Sequence, residues 1–378
     1  GGAAWTVNSN FAHYYCGIFV SSGTTTSGVV QNNIIQNINY TSGEDNPWDG
    51  IYINSGNVNV TGNTIGATTG TGSIIVTTPV ALATTTISGG AVNSITVVNG
   101  GTGYTEAPTI SFSTAGSTSA VATASVTGGV VTDITLNSGG SGYASAPNVV
   151  FYGQTNNYST SHGMINNSNG TVVISSNNIG SITTVGSLYY SHGFESIYVR
   201  GVTGSTTISS NLIGSLATAS SIHVSSAATS SLMKEDLYGI YSSAIGTTII
   251  MGNTVANLTN DYDGTNSGTK IRGIQTLSGS NVIQNNVVRN ITAASGQYAS
   301  KSAASVIGIS QTSTTAGTTQ TLNGNTIYGL LNTNSSAKVD VYGIYYAGPK
   351  SGTNSVSKNF IHSLSASSSN ANSDIEGI

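Results

Sequence analysis

The sequence predicts an all-β chain: a three-sided parallel solenoid of about eight coils that carries a small antiparallel β insert. Three observations predict it: a Gly-Ile step recurring at a nearly fixed interval, an Asn signature after each step, and a composition suited to strands.

Only 6% of the 378 residues are charged, while 48 are glycine and 19 are tyrosine. An average soluble domain is about 25% charged, so solubility here rests on hydroxyls and amides. Disordered chains also depart from average charge, but they lack the β-branched and aromatic residues that fill this one. Nine Lys and Arg scattered singly within a net charge of -4 form no basic stripe, which argues against nucleic acid as a partner. A single cysteine, Cys16, excludes an internal disulfide framework and a cysteine-based zinc site. No apolar run reaches the roughly 18 residues of a membrane span. Scarce Cys and Lys beside abundant Thr, Ser, Asn and Gly is the composition of exported proteins, so an extracellular, bacterial cell-surface location is expected. The opening "GGAAWTV" has neither an initiator Met nor a signal peptide, as expected of a mature product or an excised piece.

The Gly-Ile step stands at Gly17, Gly50, Gly163, Ser196, Gly239, Gly273, Gly308, Gly343 and Gly377, with Ser replacing Gly once. Apart from one gap, successive copies lie 33 to 43 residues apart. Thirteen to 17 residues after each of the first eight comes the second signature: apolar, two residues, Asn, one residue, then Ile or Val. Its asparagines are Asn33, Asn63, Asn177, Asn211, Asn253, Asn286, Asn325 and Asn359. The apolar positions flanking Asn are five apart, so a flat strand would put them on opposite faces. A bend at Asn, a residue at ease in the left-handed region, turns both inward. Short bent strands at about 34 residues per turn make coils that stack about 4.8 Å apart, with equivalent residues in ladders. Glycine, threonine and β-branching argue against the helical solenoids of similar period.

With these motifs the chain resembles the right-handed parallel β-helix proteins of the pectin-lyase-like class, whose coils carry the same N-x-I and G-I spacing and stacked Asn ladders. The resemblance covers roughly residues 5–78 and 154–378 and implies right-handed coiling. That fold hosts lyases, hydrolases, phage tailspikes and adhesins, so it implies little about function.

The gap between Gly50 and Gly163 holds a different repeat. Residues 83–112 realign on 122–151 with a constant offset of 39, and each copy contains a GG-x-GY-x-x-AP core. Alternating strands around a glycine turn predict a two-unit antiparallel module, with Tyr104 and Tyr143 packed across the turns and Pro108 and Pro147 ending pairing at an edge. Such units look like those of large bacterial and phage surface proteins. The expected organisation is coils over 1–78, the inserted module over 79–153, and coils again over 154–378.

Enzymes of the class need clustered carboxylates, to hold Ca²⁺ beside a basic residue or to act as a pair on a glycoside. No coil shows that cluster with an accompanying Arg, so the class's catalytic aspartates cannot be carried over. Ladder alignment does bring Asp49, His162 and Glu195 onto consecutive coils, immediately before the Gly-Ile step, where carboxylate and imidazole could serve as acid and base. The same column also holds Cys16, Ile307 and Tyr342, as a position that tolerates any residue would. Just beyond the Ile, Tyr52, Tyr198, Tyr241 and Tyr345 share an outward column with Phe19, Ile165, Gln275 and Ser310. Aromatics there could stack on sugar rings or simply stabilise the sheet. "NDYDGTN" sets Asp261, Asp263 and Asn266 around a glycine as a fragment of a Ca²⁺ loop, and "GEDNPWD" gathers Glu44, Asp45 and Asp49. No cofactor is required by these residues; Ca²⁺ is the one candidate.

The expectation is therefore a non-catalytic structural or adhesive segment of an exported surface protein or filament, a rigid rod displaying a module. Its partners would be further repeats or copies of the same chain, and surface glycans. The alternative is a polysaccharide lyase, glycoside hydrolase or tailspike. The final "EGI" reads as the start of a ninth coil, with the rod expected to continue past Ile378.

Overall fold

The computed structural model describes residues 4–9, 14–42, 47–77, 81–101, 104–113, 117–152, 157–186, 190–226, 235–263, 269–296 and 301–378. It is a three-sided parallel β-helix with two small antiparallel sheets set between its second and third coils.

The Gly-Ile step lies in the first face, a sheet of nine parallel strands from Tyr15–Ser21 and Trp48–Ser55, across the insert to Asn157–Asn166, and on to Asp374–Glu376. Its register stacks the Ile of each motif on its equivalent in the next coil, with Met164 in that place between Ile51 and Ile197, and Ile51, Ile197, Ile240, Ile274, Ile309 and Ile344 are wholly buried. Glycine precedes Ile because the backbone there passes close to the neighbouring coil. A Cβ on Gly239 would sit 2.5 Å from the Gly273 carbonyl oxygen and 2.6 Å from Val255 Cγ1, closer than packed atoms approach.

The second face has eight strands, from Gly28–Gln31 to Thr353–Ser357, and ends at the asparagine signature. The bend is where the spacing puts it, but a different residue makes it. Positive φ falls on the residue before each ladder asparagine: Asn32, Gly62, Ser176, Ser210, Gly252, Asn285, Gly324 and Lys358. The asparagine itself turns inward. From Asn33 to Asn359 each side-chain amide donates to the Oδ1 of the next asparagine at 2.9–3.0 Å. Beyond the first, each also donates to a carbonyl of the preceding coil, as Asn211 does to Ile174 at 2.9 Å. Its oxygen accepts a backbone N–H in addition, as Asn253 Oδ1 does from Asn211 N at 3.0 Å. A buried amide in this column leaves no donor or acceptor idle, which offsets the cost of taking it out of water.

The third face begins after asparagine and carries 13 strands. In the early coils it is split, as in Thr64–Gly66 and Ile74–Thr77; from Thr254–Asn260 onward one continuous strand serves. The apolar pairs that flank asparagine, such as Val60 with Ile65 and Ile208 with Ile213, are buried in one continuous core. Strand lengths run from 2 to 10 residues, a wider range than the four to six the motif spacing suggests.

Antiparallel strands occupy the stretch from Ala81 to Tyr152. Each repeat forms a hairpin closed by a Gly-Gly turn, Ala81–Ser88 with Ala91–Gly100 and Val121–Thr127 with Val130–Ser138. A short strand follows each, Thr109–Phe112 and Val149–Tyr152. Tyr104 and Tyr143 are buried, and the Tyr143 hydroxyl accepts the Ala120 N–H at 2.8 Å.

Candidate functional site

The stacking register brings Asp49, His162 and Glu195 together on the outer side of the Gly-Ile face, opposite one another in that order. His162 Nδ1 lies 2.7 Å from Asp49 Oδ1, and Nε2 lies 3.4 Å from Glu195 Oε2. The first contact is a hydrogen bond; the second is an ion-pair contact that leaves Glu195 Oε2 buried without a hydrogen-bond donor. Tyr14 completes the cluster by donating its hydroxyl to Asp49 Oδ2 at 2.7 Å. Burial pulls the His162 pKa down, but the hydrogen-bonding and charge of the two flanking carboxylates outweigh it and raise the pKa to about 9. At neutral pH His162 thus keeps its proton between the two acidic side chains.

An open cleft of about 420 Å³ lies over the cluster, lined by Tyr14, Phe19, Asp49, Tyr52, His162 and Arg200 among others. Tyr52 stacks on Phe19 with centroids 5.3 Å apart, and Tyr198 stacks on Tyr241 at 5.0 Å. Buried Ile165 separates the two stacks, and the His162 ring lies over Tyr198 at 5.5 Å. Burial pushes the Tyr241 hydroxyl upward, away from ionisation. Tyr345 stands apart, edge-on to Tyr342 in a small cluster with Ala304 and Ile307.

Further along the column the face is covered. Arg272 is fully buried, and its guanidinium donates to the Ile271, Ser302 and Ser305 carbonyls. Burial pushes its pKa down to about 10. The cleft therefore belongs to the first coils and does not run the length of the rod.

The loop candidates separate. Asp261 is exposed and pairs with His223 Nε2 at 2.6 Å, and Asp263 is exposed beside it. Asn266, Glu44 and Asp45 lie outside the described residues. Among the described residues no group of three or more His, Cys, Asp or Glu is arranged to hold a metal.

Sequence reasoning missed Tyr14 and Arg200. Both lie beside Gly-Ile strands, Tyr14 just before the first and Arg200 just after Val199, where the repeat alone gives no side-chain direction. It also missed a buried polar seam on the inner side of the same face. Trp48 N–H donates to Ser161 Oγ at 2.9 Å, and Ser161 Oγ meets His192 Nε2 at 2.8 Å. The backbone N–H of His192, not its ring, donates to Glu235 Oε2 at 2.8 Å. Burial holds His192 down at about 4 and pushes Glu235 up to about 8. Ser-His-Gly occurs at both 161–163 and 191–193, yet pairing sets His192 beside Ser159, not beside His162. The two histidines share a motif and face opposite sides of the wall.

No protein-family model and no curated protein sequence matches the chain. The fold and site together define a class, a parallel β-helix with a charged, aromatic cleft near one end, and the functional reading rests on that geometry.

Proposed function

We propose that the chain is a non-catalytic structural or adhesive segment of an exported bacterial surface protein or extracellular filament, a β-helical rod that displays the paired module. The observation that carries this reading is the state of the acid–base cluster. A general base needs a free lone pair and a general acid needs a pKa near the working pH. His162 has neither at pH 7: both ring nitrogens face carboxylates, and its proton is held up to about pH 9. A protonated imidazole held between acidic side chains of the two neighbouring coils ties three coils together, a structural use of the trio. The composition of the chain and the continuous asparagine ladder support the same reading.

One observation favours a second reading. The cleft joins flat aromatic faces to Asp49, His162 and Arg200, the mixture of stacking surface and hydrogen-bonding groups that suits a sugar. Under it the protein is a polysaccharide lyase, glycoside hydrolase or tailspike. Screening acidic and neutral polysaccharides against the chain and against Asp49→Ala, His162→Ala and Glu195→Ala variants separates the two. The scaffold reading expects no turnover by any of them; turnover that the substitutions abolish sinks it.

A further inference from the structure

The two units of the insert are related by an approximate local twofold axis, broken where Thr109–Phe112 also pairs with Val121–Thr127 while Val149–Tyr152 forms no ladder with Ala81–Ser88. In the pairing of Thr109–Phe112 with Val149–Tyr152, Ile110 faces Phe151 and Phe112 faces Val149. Exchanging the units by their offset of 39 residues turns one of these pairs into the other, and leaves Ser111 opposite Val150 on the axis.

The same exchange relates the glycine loops. Tyr104 N–H donates to the Gly129 carbonyl at 3.1 Å, and Tyr143 N–H donates to the Gly90 carbonyl at 2.9 Å. The tyrosine of each unit is therefore tied to the hairpin turn of the other. Gly100 lies against the Val131 backbone and Gly139 against that of Val92; an added Cβ would fall 2.3 and 2.4 Å from the respective carbonyl oxygens. Apolar side chains of both units, Ala83 and Tyr104 from one and Val131 and Phe151 from the other, share one core. Neither unit buries its apolar face alone.

A surface that pairs with its own equivalent about a twofold axis is the condition for a closed homodimer. We propose that the GG-x-GY unit is a homotypic pairing module whose partner is a second copy of the same unit. It is closed within the chain here, and joins two chains when the second copy comes from a neighbour. The short connection between the units raises their local concentration to roughly the millimolar range, so closure within one chain dominates while both units are present. The proposal is independent of the scaffold reading.

Deleting residues 113–151 from the full chain tests it. The deletion joins Phe112 to Tyr152, the neighbour that Phe151 has in the second unit, and leaves one unit per chain. In sedimentation equilibrium the deletion variant is expected to reach twice the monomer mass in a concentration-dependent manner, while the full chain does not. Adding Gly100→Val, which sets a side chain against the partner's backbone, should return the deletion variant to monomer. A deletion variant that stays monomeric overturns the proposal, whether or not its remaining unit folds. So does a dimer that Gly100→Val leaves intact, because such association would not use the twofold contacts.

Discussion

The asparagine column shows at the scale of one residue why the motif is so regular. Asn211 accepts the N–H and the side-chain amide of Asn177, and donates to Ile174 O and Asn253 Oδ1. Asn211→Ala would take the acceptor from the buried Asn177 N–H and from one hydrogen of its amide, and would remove a donor from the Ile174 carbonyl, at a cost of roughly 3 kcal/mol. Asn211→Asp, almost identical in shape, should do no better at neutral pH. It replaces a donor with an oxygen facing the Asn253 oxygen and buries a charge. Urea unfolding of the two variants checks this; an aspartate as stable as wild type would mean that shape, not the amide donor, holds the column. By contrast Ser210, whose φ is +56°, makes the bend with no amide of its own. Ser210→Gly should be tolerated and Ser210→Val should not, since a β-branched residue resists positive φ.

At the scale of the element, the Gly-Ile step works because two neighbouring coils touch through backbone. Gly239→Ala drives a Cβ into the Gly273 carbonyl and the Val255 side chain, and overpacking of this kind costs about 1–3 kcal/mol. Gly377→Ala meets nothing within 4 Å and should leave the thermal midpoint unchanged. Equal effects at the two positions would show that the glycines serve chain flexibility instead of packing. Most of this architecture was legible in the sequence, because a solenoid repeats its constraints in every coil and the ladders follow from alignment alone. Two kinds of fact were not. The bend was assigned to asparagine when the preceding residue makes it, since a six-residue pattern fixes where a chain turns but not which φ changes sign. Side-chain direction was the other. The columns of Asp49, His162 and Glu195 could be written from the repeat, but the hydrogen bond from Tyr14 depends on rotamers that no spacing encodes. Likewise the offset of 39 gave two units of the insert, and only the crossed contacts of Tyr104 and Tyr143 show that each is completed by the other.

For the whole molecule, so low a charge means that a few buried groups set how stability varies with pH. His162 has its pKa raised from the usual 6.5 to about 9. Its contribution is fully present below about pH 6.5 and is lost as pH rises through about 9. Glu235 is raised from 4.5 to about 8 by burial. The folded chain keeps that proton after the unfolded chain has lost it, so this group also removes stability as pH rises from 4.5 to 8. His192 acts in the opposite sense. Held at about 4, it stays neutral when the unfolded imidazole charges, and it lowers stability as pH falls from 6.5 to 4. Between about 4.5 and 6.5 the effects of Glu235 and His192 oppose each other. Above 6.5, His162 and Glu235 act together, because the folded state binds more protons than the unfolded state and stability must then fall with pH. The thermal midpoint should therefore be higher at pH 6 than at pH 9. Glu235→Gln, which keeps the shape and cannot ionise, should remove that group's share of the decline between about 4.5 and 8, and His162→Gln the share between about 6.5 and 9. A midpoint that rises between pH 6 and 9, or a decline that the paired substitutions leave untouched, would mean that exposed charges govern the pH response. The outer cluster and the inner seam would then have to be fully relaxed by water, contrary to their burial on either side of one sheet.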